Sequence, residues 1–334
     1  MTGGCHRRAK DEDCMSDRVT TCGESERNHE LIPLTASLLL VLLCLLWGGN
    51  LVSIKISNQG VPPILAAAIR SGTAAGLLWA FARTRRQVVF LPRGDLRHGA
   101  IIGVLFGLEF LCLYSGLSYT SVSRGTIFLY MHPFWVAIGA HFLLPKDRLT
   151  VLKIGGLLMA FIGLIAAFRS RSATLTPGFW LGDLLELAAA FFWASTTLYI
   201  KKIVCMRDIT HYQTLFAPLL FSLPVLCAGW LILERSKQLN PTLPVLVAIG
   251  YQCGIVAFSS YLLWFSMIHR FPVSRLTAFT FLAPVFGVIL SGLVLRESIP
   301  LLLWGGLTLI AAGIYVVNQP AKNKKPWSVT LPRR

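Results

Sequence analysis

The stretch VSRGTIFLYMHP at 122–133 returns as VSRLTAFTFLAP at 273–284, so Val122-Ser123-Arg124 recurs as Val273-Ser274-Arg275 and Pro133 as Pro284, at an offset of 151. Across 122–144 against 273–295, eight of 23 positions are identical without a gap. After a one-residue deletion the match continues, with Asp147 on Glu297, Gly155-Gly156 on Gly305-Gly306 and Gly163 on Gly313. A second block sets Trp47 against Trp193, Ile54 against Ile200 and Lys55 against Lys201 at an offset of 146. Apolar segments match one another by chance, because few residue types are in play. A shared proline, a glycine pair and a polar triplet are much harder to obtain that way, so the chain reads as an internal duplication.

Outward from these repeats the sequence is a series of apolar blocks. Of 334 residues, 54% are hydrophobic and 14% charged, against ~25% charged in soluble domains. Blocks of about 20 residues, each enough to cross a ~30 Å hydrocarbon core as a helix, fall near 32–54, 63–82, 98–117, 124–144, 150–168, 179–200, 212–233, 244–265, 274–294 and 300–318. They are continuously apolar where barrel strands would alternate, so the spans are helical. The fold expected is an all-α integral membrane protein of about ten transmembrane helices. The first block lies too far into the chain, and is too long, for a cleavable signal peptide.

The net charge is +16, and its location says what it is for. With the N-terminus on the cytoplasmic side, 23 Lys and Arg fall on that side and seven on the other, while Arg70 sits inside a span. This is the bias of the positive-inside rule. It predicts both termini in the cytoplasm, an even number of spans, and contact with anionic headgroups rather than nucleic acid. Short loops and the lack of targeting features point to the cell (cytoplasmic, or inner) membrane.

Residues 1–30 are polar and nearly free of aliphatic side chains, predicting a disordered cytoplasmic N-tail, and 319–334 a basic cytoplasmic C-tail. The eight cysteines show no disulfide framework, and neither they nor the histidines of the tail fall at C-x-x-C spacing, so no metal site and no cofactor are expected. The first repeat covers 31–170 and the second 178–318, five spans each. An odd number of spans sends the second copy into the membrane upside down, putting Asp147 on the cytoplasmic side and Glu297 on the outer side. Inverted repeats suit alternating access, because two interchangeable halves can open to either face.

The residues that mark each half form a recognisable set. Leu46-Trp47-Gly48 and Phe192-Trp193-Ala194 open the halves, and Arg70 follows in the second span. The turn Leu117-Ser118-Tyr119-Thr120-Ser121 leads into a fourth span containing Pro133, and each half ends on an acidic residue with a glycine-rich fifth span. Over about 32–318 the chain resembles the EamA-type drug/metabolite transporters. The pattern departs at Asp147, where glutamate is usual, at Phe216, where an arginine would repeat Arg70, and at His132, which it does not demand. The resemblance implies carriage of amino acids, their derivatives or other small metabolites, without choosing among them.

An ionisable side chain in mid-membrane costs at least ~2.5–3.5 kcal/mol, so each asks for a reason. Glu109 lies about 12 residues into its span. Two readings stand for it: a cavity-facing group that carries a coupling proton or binds a substrate amine, and a structural ion pair with Arg70. Arg70 in turn reads as structural, or as a clamp for a substrate carboxylate. His132 precedes a proline that frees a backbone carbonyl, and either satisfies that backbone or serves function. Asp183 and Glu186 read as a solvated outer mouth.

Asn50, Tyr114, Tyr130 and Trp264 are deep enough to line a pocket, as are Thr196, Tyr199, Gln252 and Tyr261, although tryptophans are commonly belt anchors. Gly99, Gly103 and Gly107 suit close helix packing. Pro133 and Pro284, at matched positions, are the hinge candidates.

The function expected is secondary transport of small metabolites by alternating access, with proton coupling as one mode. No Walker motif supplies ATP chemistry. The alternative is an intramembrane enzyme acting on a lipid or small polar substrate, but no H-E-x-x-H or G-x-S-x-G motif supports it. The partners expected are a small-molecule solute and the lipid bilayer, with homodimerisation left open.

Overall fold

The computed structural model describes residues 32–120, 122–144, 147–168, 178–236, 238–295 and 301–319. The predicted tail at 1–30, nearly all of the tail at 319–334, and Glu297 lie outside the described residues.

Among the described residues ten helical rods follow one another, and each of the ten predicted blocks becomes one of them. They are α1 (Leu34–Ser57), α2 (Pro63–Thr84), α3 (Leu96–Tyr119), α4 (Val122–Leu129 then His132–Leu143) and α5 (Val151–Phe168) in the first half. The second half has α6 (Phe179–Met206), α7 (His211–Phe221 then Leu223–Leu233), α8 (Leu243–Arg270), α9 (Val273–Phe279 then Leu282–Leu295) and α10 (Leu301–Asn318). Eight of the rods are long and apolar enough to cross a membrane outright. Of the other two, α10 is a shorter apolar helix, and α6 carries Asp183, Glu186, Lys201 and Lys202 along its 28 residues. In lipid the helix is the conformation that satisfies every backbone group within one segment, which is why long apolar runs settle this way.

Local sequence sets the ends. Pro63 opens α2, where its missing N–H is no loss, and the Glu234 carboxylate accepts from the Ile64 N–H at 2.8 Å, placing negative charge on that helix start. Thr210 and Gln213 form a capping box at the start of α7. Both α4 and α9 break just before their matched prolines, at Tyr130-Met131 and at Thr280-Phe281. Proline lacks an N–H and crowds the preceding turn, so the same chemistry interrupts both copies.

The halves pack by exchange. α3 lies on α6 as α1 lies on α8, α4 on α6 as α9 on α1, and α3 on α7 as α2 on α8. The most extensive contact joins α5 to α10, the same span of each half. There a Cβ on Gly156 would lie 2.7 Å from the Gly313 carbonyl oxygen, and one on Gly163 would lie 2.6 Å from that of Gly306. Gly156 corresponds to Gly306 and Gly163 to Gly313 in the repeat, so each glycine meets the partner of the other. Equivalent helices that pair crosswise and antiparallel are related by a two-fold axis in the membrane plane. The chain is therefore an all-α membrane protein of two inverted halves.

On the face where α1 begins, called here the near face, the first piece of α9 lies against the second piece of α4. Asp147 ties them: its carboxylate accepts from the Ser274 N–H at 2.9 Å and from the Ser274 hydroxyl, and it pairs with Lys153 at 2.6 Å. Lys201 adds a second tie by donating to the carbonyls of Ile268 and Phe271 at 3.1 Å each, at the end of α8. One cysteine differs from expectation. Cys205 is disulfide-bonded, while Cys44, Cys112, Cys227 and Cys253 are free thiols. Spacing along the chain carries no information about which thiols the fold brings together.

Candidate functional site

A cavity of about 80 Å³ lies between the halves. Its walls come from the middle of α1 (Trp47, Asn50), α3 (Phe106, Glu109, Phe110), α4 (Leu129, Tyr130), α6 (Trp193, Thr196) and α8 (Tyr261, Trp264). These spans meet because small residues let them. Gly48 of α1 sits so close to α9 that a Cβ would lie 2.6 Å from the Gly287 nitrogen. On α3, a Cβ at Gly103 would collide with Phe221, and one at Gly107 would lie 2.8 Å from the Val225 Cβ. The expected packing role of the α3 glycines is what the geometry shows, at the point where α7 is interrupted.

Trp47 is the hub of the wall. It makes edge-to-face contacts with Trp264 at 5.1 Å, Trp193 at 6.1 Å and Tyr261 at 6.2 Å, and its indole N–H donates to the Ser260 hydroxyl at 2.9 Å. Such edge-to-face pairs add ~0.5–1.5 kcal/mol each beyond burial, so the rings are held in place. Ser260 closes a ten-residue π-helical stretch, Tyr251–Ser260, within α8. That irregular turn, common near functional sites, also carries Val256 into the wall.

Glu109 is the one carboxylate on the wall among the described residues. It is 5% exposed, and its Oε2 has no hydrogen-bond partner. Arg70 is fully buried, with its guanidinium 3.9 Å from the Phe110 ring centre and 5.6 Å from that of Tyr261, and none of its three nitrogens has a hydrogen-bond partner. The direct Glu109–Arg70 ion pair is not formed; the cation is held by aromatic faces instead. Thr196 adds a buried hydroxyl that also lacks a partner.

Among the other residues singled out in the sequence, Asn50, Tyr130 and Trp264 reach the cavity wall, as do Thr196 and Tyr261. His132 does not. Its ring stacks on Trp193 at 3.7 Å and 9°, behind the wall, and neither nitrogen has a partner, so it does not satisfy the freed backbone. Tyr114 donates to Gln252 at 3.2 Å, and Gln252 donates to Ser57 at 3.0 Å, a buried chain linking α3, α8 and α1. Tyr199 meets His98 at 2.9 Å, away from the cavity. Pro133 and Pro284 sit at the interruptions of α4 and α9.

Asp183 and Glu186 are buried rather than solvated, at 7% and 0% exposure. Asp183 pairs with Arg124 and accepts from the Thr120 hydroxyl at 2.7 Å, which draws the ends of α3 and α4 over this part of α6. Glu186 lies beneath, against Gly116 and Gly125, with neither oxygen hydrogen-bonded. Trp47 and Trp193, which sequence reasoning used only as markers of the repeat, turn out to be at the heart of the wall.

The profile of the EamA-like transporter family matches twice, at 34–169 and at 180–319. The uncharacterized transporter YoaV of Bacillus subtilis is 22% identical over 278 residues, covering 83% of this chain and 94% of its own. A probable amino-acid metabolite efflux pump of Salmonella typhimurium is 26% identical over 295 residues, covering 83% and 93%. The protein of the same description from Escherichia coli is 25% identical over 293 residues, with the same coverage of each chain. A crystal structure 20% identical in sequence superposes with a TM-score of 0.72, covering 85% of this chain and 98% of its own, and so shares the fold. The relatives are named as transporters or pumps, and the intramembrane-enzyme alternative falls away.

Proposed function

The chain belongs to the EamA-like transporter family and is a multi-pass carrier of small solutes rather than an enzyme, and on that footing we propose that the central cavity is its transport site, worked by alternating access. The observation that carries this reading is the meeting of Trp47 and Trp193, equivalent residues of the inverted halves, across a wall that also holds Glu109. A site on the pseudo-two-fold axis is reached equally well when either half moves. Pro133 and Pro284, at the matched interruptions, are the hinges in this reading, and Asp147 with Lys153 and Ser274 is the latch of the near face.

The near face is the cytoplasmic one, as the charge bias predicts, and the membrane is the cytoplasmic membrane. The described conformation is then closed toward the cytoplasm. The names of the efflux pumps support amino-acid metabolites as one group of solutes to try. Glu109 is the coupling or binding carboxylate, since it is a buried acid with a free oxygen on the wall.

The test is solute flux in proteoliposomes holding the full chain, with an imposed pH gradient, wild type against Glu109→Gln. Saturable flux whose pH dependence disappears in the variant is the expected result. Saturable flux with unchanged pH dependence would keep the carrier and remove Glu109 from coupling. A folded protein that moves no solute of a metabolite panel would count against the cavity as the site.

A further inference from the structure

Resting on the reading of the cavity as the transport site, the structure assigns that site to organic cations: amines with an apolar or aromatic body, in preference to zwitterionic amino acids and to carboxylates. Among the described residues, the wall carries one carboxylate, Glu109, and no Lys, Arg or His. The nearby cation, Arg70, is 0% exposed and stacked on Phe110, so it cannot greet a ligand carboxylate without the wall being rebuilt. A ligand's carboxylate would therefore be stripped of water opposite Glu109 with no cationic partner, which is unfavourable in a low-dielectric interior.

An ammonium meets the opposite situation. Glu109 supplies the countercharge, with Oε2 unpartnered. The rings of Trp47, Trp193, Tyr261 and Trp264, braced against one another through Trp47, surround the space with π faces and edges. Cation–π attraction is strongest at Trp and grows when the cation is desolvated. Asn50 and the unpartnered Thr196 hydroxyl can take the remaining N–H groups. The rest of the wall is aliphatic or aromatic, including Ile54, Leu113, Val256 and Phe265, and suits an apolar body. Amino-acid derivatives that have lost or masked their carboxylate, such as decarboxylation products, belong to this class.

The test is a titration of the purified full chain with three molecules of one shape and different charge: phenethylamine, phenylalanine and 3-phenylpropionate, read by quenching of tryptophan fluorescence. The expected result is saturable quenching by phenethylamine, with affinity about tenfold or more above that for phenylalanine and no saturable response to 3-phenylpropionate. Glu109→Gln, checked for folding by its thermal melt, should lose that preference. The wild-type series alone decides the matter if the variant does not fold. Saturable binding with phenylalanine or 3-phenylpropionate equal to or tighter than phenethylamine overturns the cation assignment and leaves the cavity standing as a site. No saturable response to any of the three overturns the cation assignment too, and flux of any solute in proteoliposomes then separates a wrong substrate class from a wrong site.

Discussion

Gly156 on α5 packs so closely on Gly313 of α10 that a Cβ at Gly156 would lie 2.7 Å both from the Gly313 carbonyl oxygen and from the Val317 Cγ2. The neighbouring Gly155 has nothing within 4 Å of the same position. Adjacent glycines thus differ wholly in what they permit. Gly156→Val should force α5 and α10 apart and lower the thermal midpoint of the purified protein, by an overpacking cost of ~1–3 kcal/mol or more. Gly155→Val should leave it nearly unchanged. Equal effects of the two substitutions would mean that α5 and α10 do not cross at these glycines.

Arg70 and Glu109 are buried charges that attract across space without touching. Removing one leaves the other uncompensated, but unequally: a carboxyl can take up a proton and an arginine cannot give one up. Glu109→Gln should therefore destabilise more than Arg70→Met, with a loss on the order of 3 kcal/mol. The double variant should recover part of it, because the orphaned cation is gone. A double-mutant cycle by thermal or denaturant unfolding reads the coupling. Strictly additive losses would show that the two charges do not communicate.

Much of this architecture was legible in the sequence, for physical reasons that also explain what was not. Span lengths and the offset between Pro133 and Pro284 follow from bilayer thickness and proline chemistry, so the ten rods and the breaks in α4 and α9 could be read directly. The interruption of α7 at Ser222, just before Pro224, follows the same proline chemistry without a matched proline in the repeat to draw notice, whereas no residue type demands the π-helical stretch at Tyr251–Ser260. For the site, sequence gives depth along a helix but not the direction in which a side chain points. Glu109, Asn50, Tyr130 and Trp264 point into the cavity, whereas Arg70, His132 and Tyr114, at comparable depth, point into helix contacts. Asp183 and Glu186 read as solvated because the cover supplied by Arg124 and Thr120 is a tertiary fact. The signal that would have found Trp47 and Trp193 was present in the repeat: equivalent residues of inverted halves can meet at the axis.

The near-face latch should respond to acid in a particular way. Burial pushes the Asp147 carboxyl up, but the Lys153 ammonium and the hydrogen bonds from Lys153 and Ser274 outweigh it and hold the group below the ordinary aspartate value of 3.8. A depressed folded-state value means that the latch stabilises fully above the unfolded value and fades as pH falls through the folded one. Asp147→Asn should destabilise by on the order of 3 kcal/mol at neutral pH, since it strands the buried Lys153. That difference from wild type should stay flat from about pH 5 to 8 and shrink only below about pH 4. Melting curves across pH for both proteins measure it, and a difference that changes between pH 5 and 8 would remove the depressed carboxyl from the explanation.

Glu186 poses the opposite case, a carboxyl with no tie to lose. It is 0% exposed, neither oxygen is hydrogen-bonded, and its side chain fills the space left by Gly116 and Gly125 between α6, α3 and α4. Burying a polar group without a partner costs ~1–3 kcal/mol, and a side chain of similar volume without polar atoms avoids that cost. Glu186→Met should therefore raise the thermal midpoint, while Glu186→Ala, which empties the slot, should lower it. A carrier that needs Glu186 for its cycle would gain stability in the methionine variant and lose flux, which separates a working group from an inert one. If Glu186→Met melts below wild type, the carboxyl has a partner in the folded protein, and its isolation beside Gly116 and Gly125 is not the state that the protein adopts in solution.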